Sequence, residues 1–321
     1  MSPAPRVLVL AGGLSHERDV SLRSGRRVAE ALRDAGCTVV ERDVDAQLLP
    51  FLGARSVDVV WPLLHGATGE DGAVRDVLDL LGVPYVGSRP APCRVAWDKP
   101  VAASVARAAG LSTPDSVALP HATFRELGAQ GVLEAVVDRL GLPLVVKPAR
   151  GGSALGVSVV RDREDLPRAM VDCFAYGDVA LVQRHVTGVE VSVSVLDTGA
   201  GPEVLPAVEI VPESGVYDYD ARYVAGSTEF FCPARLTDDT ATAAAQAALT
   251  AHAAFGLRHL SRTDLIVDPD GRPWFLEVNV APGMTETSLL PQSVEAAGTS
   301  ARVLYRHLVE AALTDGRPVP A

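Results

Sequence analysis

The sequence predicts a mixed chain: an α/β unit with a parallel sheet over 1–96, then α+β units over 97–186 and 187–321. Three observations lead there. Strand and helix patterns alternate through the first part. The middle mixes helices with short strands around a glycine-rich loop, and the last part is dominated by strands that carry buried polar residues. A length of 321 residues suits two or three domains with a sizeable core.

Taken in order, "RVLVLAGG" is an apolar strand, and a helix pattern through Val28 and Leu32 stops at Gly36. "TVVERDV" and "VDVVWPLLHG" are further strands. Val74, Val77, Leu78 and Leu81 keep the i, i+3, i+4, i+7 spacing of a helix face, and "VPYVGS" is a closing strand. Such alternation implies a parallel sheet with helices on both faces. In the middle, a helix with Lys99 near its start ends at Gly110, "TPDSVALP" is a strand, and one helix fills about 123–140. The strands "LPLVVKPA" and "GVSVVRD" flank the glycine-rich loop, and the helix "REDLPRAMVDCFAYG" leads to the strand "VALVQRHV". The last part opens on "VEVSVSVLD" and "EVLPAVEIV", an antiparallel pair. A tyrosine-rich polar loop over 212–230 follows, long enough to be functional or disordered. A helix from about Thr237 to Phe255, a strand from Trp274 to Val280 and a helix near 300–314 complete the chain.

Hydrophobic residues at 48% and charged residues at 21% describe a globular chain. The net charge of −11 and the lack of a basic block exclude nucleic acid as an expected partner, while small anions remain open. Cys37, Cys93, Cys173 and Cys232 are far apart, which suggests reduced buried thiols rather than zinc or disulfides. The N-terminus reads as a strand and not a signal peptide, and no stretch reaches the ~18 apolar residues of a membrane span. A cytoplasmic protein without membrane insertion is expected.

"TDLIVDPDGRPWFLEVN" reads as a hairpin turning at Asp270-Gly271 in a type I′ loop. That register sets Asp264 opposite Glu277, with Asn279 and Arg262 on the same face. Two carboxylates and an amide oxygen suit a hard divalent cation that bridges phosphates, and Arg262 would neutralise developing charge. A solvated surface hairpin or a glycosidase-like acid/base pair are the other readings of these residues. In "VVKPARGGSALGVSVV", Gly151, Gly152 and Gly156 free backbone N–H groups for phosphate oxygens beside Lys147. The loop is not a Walker A motif, and an ordinary glycine-rich hairpin is its plain reading. With the oxygen site and Lys99, a nucleoside triphosphate with Mg²⁺ becomes the favoured ligand.

"AGGLSHERDVSL", "LLHGATGEDGAV", "AWDKP", "VVKPARGGSALG", "YDYDARY", "FFCPARL", "SRTDLIV" and "LEVNVAPGMTETSL" occur in that order. Together they resemble the ATP-grasp ligases, and within them the D-alanine–D-alanine ligase family of peptidoglycan precursor synthesis, over essentially the whole chain. The resemblance implies an ATP-grasp fold whose two α+β units sandwich ATP. It implies two Mg²⁺ ions (Mn²⁺ as substitute), D-alanine as substrate, an acyl-phosphate intermediate and a homodimer. By motif position, Lys99, Lys147, Gly152, Ser153 and Arg222 would hold the phosphates. Gln183, Arg184, Val186 and Glu190 would hold the rest of the nucleotide, Glu190 at the ribose. Asp264, Glu277 and Asn279 would be metal ligands, and Arg262 with the Gly283 backbone would meet the oxyanion. Glu17 would bind the first ammonium, partnered by Ser153 and Tyr223, with His65 and Tyr217 nearby. Ser288 and Leu289 would receive the second D-alanine, and the tyrosine-rich loop would close as a lid.

Without the motifs these residues have plainer readings: Glu17 as a helix-start carboxylate, His65 as a hydrogen-bonded corner, Lys99 as a solvated charge, and Tyr217, Tyr219 and Tyr223 as surface aromatics. The chain also departs from the family pattern, with Arg222 for lysine, Ala154 for serine, Gln183-Arg184 for Glu-Lys and Val280-Ala281 for Thr-x. Metal ligands, Arg262 and Glu17 are kept, so activity is expected. The departures suggest a divergent paralogue; the alternative is another D-amino-acid dipeptide ligase with a different second substrate.

Overall fold

The computed structural model describes residues 4–54, 56–213, 215, 217, 221–222, 224 and 226–315. Strands β1 (Arg6–Leu10), β2 (Thr38–Arg42) and β3 (Val59–Pro62) form a parallel sheet in the order β2-β1-β3. Its two faces are separately covered, because alternate residues of a buried strand point to opposite sides. Val7 and Val9 pack with Val28 and Leu32 of α1 (Arg18–Asp34); Leu8 and Leu10 pack with Leu48 and Leu52 of α2 (Leu48–Gly53) and Leu78. Short α3 (Ala67–Glu70) and α4 (Ala73–Leu80) follow β3, and α5 (Pro90–Trp97) leads into α6 (Lys99–Ala108). The expected strand at "VPYVGS" reduces to one parallel bridge, Val60 to Tyr85. Pro84 has no N–H to extend the ladder.

A second sheet, wholly antiparallel, has the order β4-β7-β5-β6, from β4 (Ser116–Pro120), β5 (Leu144–Pro148), β6 (Ser158–Val160) and β7 (Val179–Arg184). The single helix expected over 123–140 is two, α7 (His121–Leu127) and α8 (Ala129–Leu140). Gly128 separates them at φ 83, a backbone state that a continuing helix cannot hold. Val136, Leu140 and the Met170 face of α9 (Leu166–Phe174) cover Leu144, Val146, Ala180 and Val182. Val145, Lys147 and Gln183 are left for the opposite face.

The third sheet runs β11-β10-β8-β12-β13, and β9 also pairs with β8. It comprises β8 (Val189–Asp197), β9 (Pro202–Val204), β10 (Val208–Pro212), β11 (Thr228–Phe231), β12 (Leu260–Val267) and β13 (Pro273–Asn279). The expected strand "EVLPAVEIV" is thus two strands on β8, and β11 occupies the end of the stretch expected to be loop. Helix α10 (Asp238–Ala254), capped by the Thr237 side chain, packs with α5 and α6 against Val191, Val193, Leu265, Phe275 and Val278. Two C-terminal helices, α11 (Leu289–Ala296) and α12 (Ala301–Asp315), return to the first unit, where Val294, Leu304 and Leu308 join the core with Val7 and Val28.

The hairpin register holds at the site and fails at its tip. Asp264 faces Glu277 and Arg262 faces Asn279, as expected, yet Val267 pairs with Pro273. The loop is therefore residues 268–272, held by Asp268 accepting from Asp270 N and Arg272 N. It is not a two-residue type I′ turn. A bulge between Asp264 and Leu265 takes up the offset, leaving Leu276 as the extra residue opposite. Phe275 and Val278 enter the core while Leu276 and Glu277 line a cavity.

Candidate active site

Two cavities meet between the second and third sheets and the end of the first. The larger, about 540 Å³, lies between β5, β7 and the 151–157 loop on one side and β8, β10, β12 and β13 on the other. It is lined by Lys99, Lys147, Gly152, Gln183, Arg184, Val186, Glu190, Arg222, Asp264 and Glu277. The second, about 480 Å³, is lined by Glu17, His65, Ser153, Tyr217, Arg262, Asn279, Gly283, Ser288 and Leu289. Lys99, Gly152, Tyr217, Arg222 and Glu277 line both, so the two spaces join at Lys99 and Glu277. Every expected site residue that is described lines at least one of them except Gly156, whose loop neighbours Leu155 and Val157 line the larger cavity. Ser153 was expected at the nucleotide and lines only the second; Tyr223 lies outside the described residues.

Strand alternation builds the larger cavity. Asp264 sits in the middle of the third sheet, opposite Ser192 on β8 and Glu277 on β13. Its carboxylate accepts from Ser192 Oγ at 2.7 Å and from Arg262 Nε and Nη2 at 2.9 and 2.8 Å. Buried Arg262 loses solvation, but Asp264 and Glu277 outweigh that and hold its pKa above the usual value. Lys99 Nζ is 3.3 Å from Glu277 Oε2 and donates to Gly151 O at 2.7 Å. Burial pushes Glu277 up, yet Lys99, then Lys147, Arg222 and Arg262, hold it at about 2. Burial brings Lys147 down to about 8 and takes Glu190 up to about 7.

The second cavity gathers loop ends. Ser153 Oγ donates to Glu17 Oε1 in a short contact. Ser153 and Ala154 both hold left-handed backbone, φ 53 and 55, an uncommon state for non-glycine residues that clusters at functional loops. A Cβ on Gly152 would lie 3.1 Å from Glu17 Oε2, and one on Gly283 would lie 2.7 Å from Ser288 Oγ. A side chain at either position would crowd a polar side chain of this cavity. Ser288 Oγ accepts from Thr285 N at 3.0 Å, Asn279 Oδ1 accepts from Ala281 N at 2.8 Å, and Ser24 Oγ accepts from Met284 N at 3.1 Å. These bonds fix the 280–288 corner. His65 is buried and its pKa is lowered by that burial, so it stands as a neutral hydrogen-bonding group.

Sequence reasoning missed several residues that line or support the two cavities. Ser192 had a signal: it follows Glu190 in the polar alternation of "VEVSVSV". Glu70 lies inside the quoted "HGATGEDG" but drew no notice; it accepts from Gly66 N at 2.9 Å, and burial, then Glu17, push it to about 8. Glu209 binds Arg235 through two side-chain bonds of 2.9 and 2.7 Å at the larger cavity. Phe230 and Thr228 wall the second cavity from β11, the strand that was not foreseen.

The metal expectation can be tested on the donors. Among the described residues no three His, Cys, Asp or Glu side chains converge as a closed metal centre. The directly opposed Asp264 and Glu277 carboxylates beside the Asn279 amide form an oxygen set, the pattern of Mg²⁺ held jointly by protein and phosphate. The residues fit that ion.

Models of the D-ala D-ala ligase N-terminus and C-terminus match residues 50–88 and 105–310. A D-alanine–D-alanine ligase of Bordetella petrii is 41% identical over 92% of this chain and 88% of its own length. The VanG D-Ala:D-Ser ligase of Enterococcus faecalis superposes with a TM-score of 0.83 at 27% identity, covering 96% of this chain and 99% of that one. The D-alanine–D-alanine ligase of Bacillus anthracis complexed with ATP superposes with a TM-score of 0.79 at 28% identity, covering 98% of each.

Proposed function

The chain belongs to the D-alanine–D-alanine ligase family, and from that premise we propose that it joins two D-alanines, with ATP, to D-alanyl-D-alanine for peptidoglycan precursors. The observation that carries this is the junction of two cavities at Lys99 and Glu277, one rich in cations, the other bounded by Glu17 and Arg262. Glu17 and Ser153 hold the first D-alanine by its ammonium, leaving its carboxylate near Arg262 and the junction. A carboxylate oxygen forms a bond to the γ-phosphorus as the bond to the ADP oxygen breaks, giving an acyl phosphate and ADP. Lys99, Lys147 and Arg222 balance the charge of the phosphates. The second D-alanine, held at Ser288 and Leu289, gives an ammonium proton to water, its nitrogen attacks the acyl carbon, and a second N–H proton leaves with the departing phosphate. Arg262 and the Gly283 N–H receive the oxyanion before collapse expels phosphate. Tyr223 is proposed, with Ser153, as a hydrogen-bonded partner of Glu17 at the first ammonium.

Asp264, Glu277 and Asn279 are proposed to hold Mg²⁺, with Mn²⁺ as substitute; such ions, when bound, offset triphosphate charge. Supporting the proposed division at 96/97 and 186/187 are three separate sheets, although α5 and α6 pack on the third. A homodimer is supported by apolar Leu49, Val77, Leu80 and Leu81, exposed on and beside α2 and α4. No helix among the described residues is long and apolar enough to cross a membrane, and a cytoplasmic site of action is proposed.

A different second substrate is the second reading, since Val280 of the departing Val280-Ala281 pair lines the substrate cavity. ADP release coupled to a spectrophotometric readout, first with D-alanine alone and then with a panel of second D-amino acids, tests both. Saturable release with D-alanine alone is expected. Release only with a second amino acid would favour the second reading, and none with any would overturn the function.

A further inference from the structure

We propose that Phe230 sets the size limit on the side chain of the second amino acid, a specificity role that rests on the ligase reading above. Phe230 is on β11, opposite Ile210 of β10. Its neighbour Phe231 instead carries the Arg235 guanidinium at 3.6 Å, as strand alternation requires. Phe230 belongs to a small apolar cluster with buried Val208, Ile210 and Leu289, against which Tyr217 and Cys232 also pack. Of this cluster, Tyr217, Phe230 and Leu289 line the substrate cavity. Val208 and Cys232 line neither cavity and Ile210 lines the larger one, so the cluster stands as a partition with packed side chains behind Phe230.

The three cavity-facing members differ in what holds them. Leu289 opens α11 directly after Ser288, which places the cluster at the end proposed for the second substrate. Tyr217 meets Phe230 edge-on, with ring centroids 6.2 Å apart and planes at 82°. Thr228, two residues before Phe230 on the same strand face, donates to Ala221 O at 2.6 Å and ties that residue to β11. Phe230 is therefore the wall member fixed by a sheet ladder while also buttressing Tyr217. An apolar wall discriminates by volume: one methylene is worth about 10- to 200-fold in kcat/KM. A ring at this place bounds the space available beyond a methyl group.

The test compares parent, F230A and F230L enzymes with D-alanine as donor and D-alanine, D-2-aminobutyrate or D-valine as acceptor. Residue order in each dipeptide is read by tandem mass spectrometry. F230A is expected to shift the acceptor ratio of kcat/KM toward the larger amino acids by at least about tenfold. F230L should shift it less, with donor preference and KM for ATP unchanged in both. A ratio within about twofold of the parent, in variants whose thermal unfolding shows them folded, would overturn the proposal. So would equal loosening at donor and acceptor positions, which marks a general loss of closure. Should F230A not fold, an unshifted ratio in F230L overturns it. A parent that makes no dipeptide overturns the ligase reading itself, and this proposal with it.

Discussion

At Glu277, burial opposes ionisation while Lys99, 3.3 Å away, favours it, and the cations win by holding the carboxyl at about 2. Removing that charge while keeping the shape isolates its role. E277Q is expected to lose on the order of 10²- to 10³-fold in kcat while still folding, with a lowered melting temperature because Lys99 loses its partner; steady-state rates beside a melting curve check it, and parent-like turnover would contradict it. Lys147 behaves in the opposite sense, since burial lowers its ammonium to about 8. Its positive charge is present below that value and lost above it, so ATP affinity should fall as pH rises through about 8. In K147R, whose guanidinium stays charged, that fall should be absent; calorimetric titration of ATP across pH 7 to 9 reads both. These residues were legible because a carboxylate or lysine inside an apolar strand needs a partner. Phe230 was not, since it closes a polar stretch whose lack of alternation hid the strand that carries it.

The 260–279 hairpin shows how an element can be read correctly for an incomplete reason. A two-residue loop and a continuous ladder would oppose Asp264 and Glu277; so do the observed 268–272 loop and the bulge at Leu276. Each feature alone shifts the register by one and would turn the acid pair to opposite faces. Turn residues in the sequence could not distinguish the two. The split of α7 and α8 had a visible cause at Gly128, whereas β11 was hidden by the polar stretch before it. The entrance to β12 carries another device. His259, at φ 64, accepts from Gly87 N at 2.9 Å, with Nε2 3.2 Å from Asp315. Burial and then Arg258 push its pKa to about 4 against Asp315. The folded state thus resists a proton that the unfolded chain accepts near 6.5. The resulting stability is present above about 6.5 and is lost as pH falls toward 4, by on the order of 3 kcal/mol. H259N, which tolerates left-handed backbone and keeps an acceptor for Gly87, should flatten that acid limb in denaturant unfolding from pH 7 to 4. An unchanged limb would assign the loss to other groups.

For the whole molecule, alternation decides where chemistry can occur. Leu265, Val267 and Phe275 face one core while Asp264, Ile266 and Glu277 face the cavity between two sheets. The parallel first unit was visible from its βαβ pattern, but its closure by α11 and α12 was not, because sequence patterns do not say which core a terminal helix joins. Exposed Leu80, 86% accessible, makes the homodimer testable: L80E is expected to halve the mass seen by light scattering. A parent that is already monomeric would remove that expectation. If ATP activates the carboxylate, a carboxylate oxygen must pass to the phosphate, and isotope tracing reads that transfer. D-alanine labelled with ¹⁸O in its carboxylate is incubated with ATP, Mg²⁺ and the enzyme, and phosphate and dipeptide are analysed by mass. The mechanism requires one labelled oxygen in each phosphate released per dipeptide formed, carried there through the acyl phosphate. Dipeptide accompanied by unlabelled phosphate would contradict it.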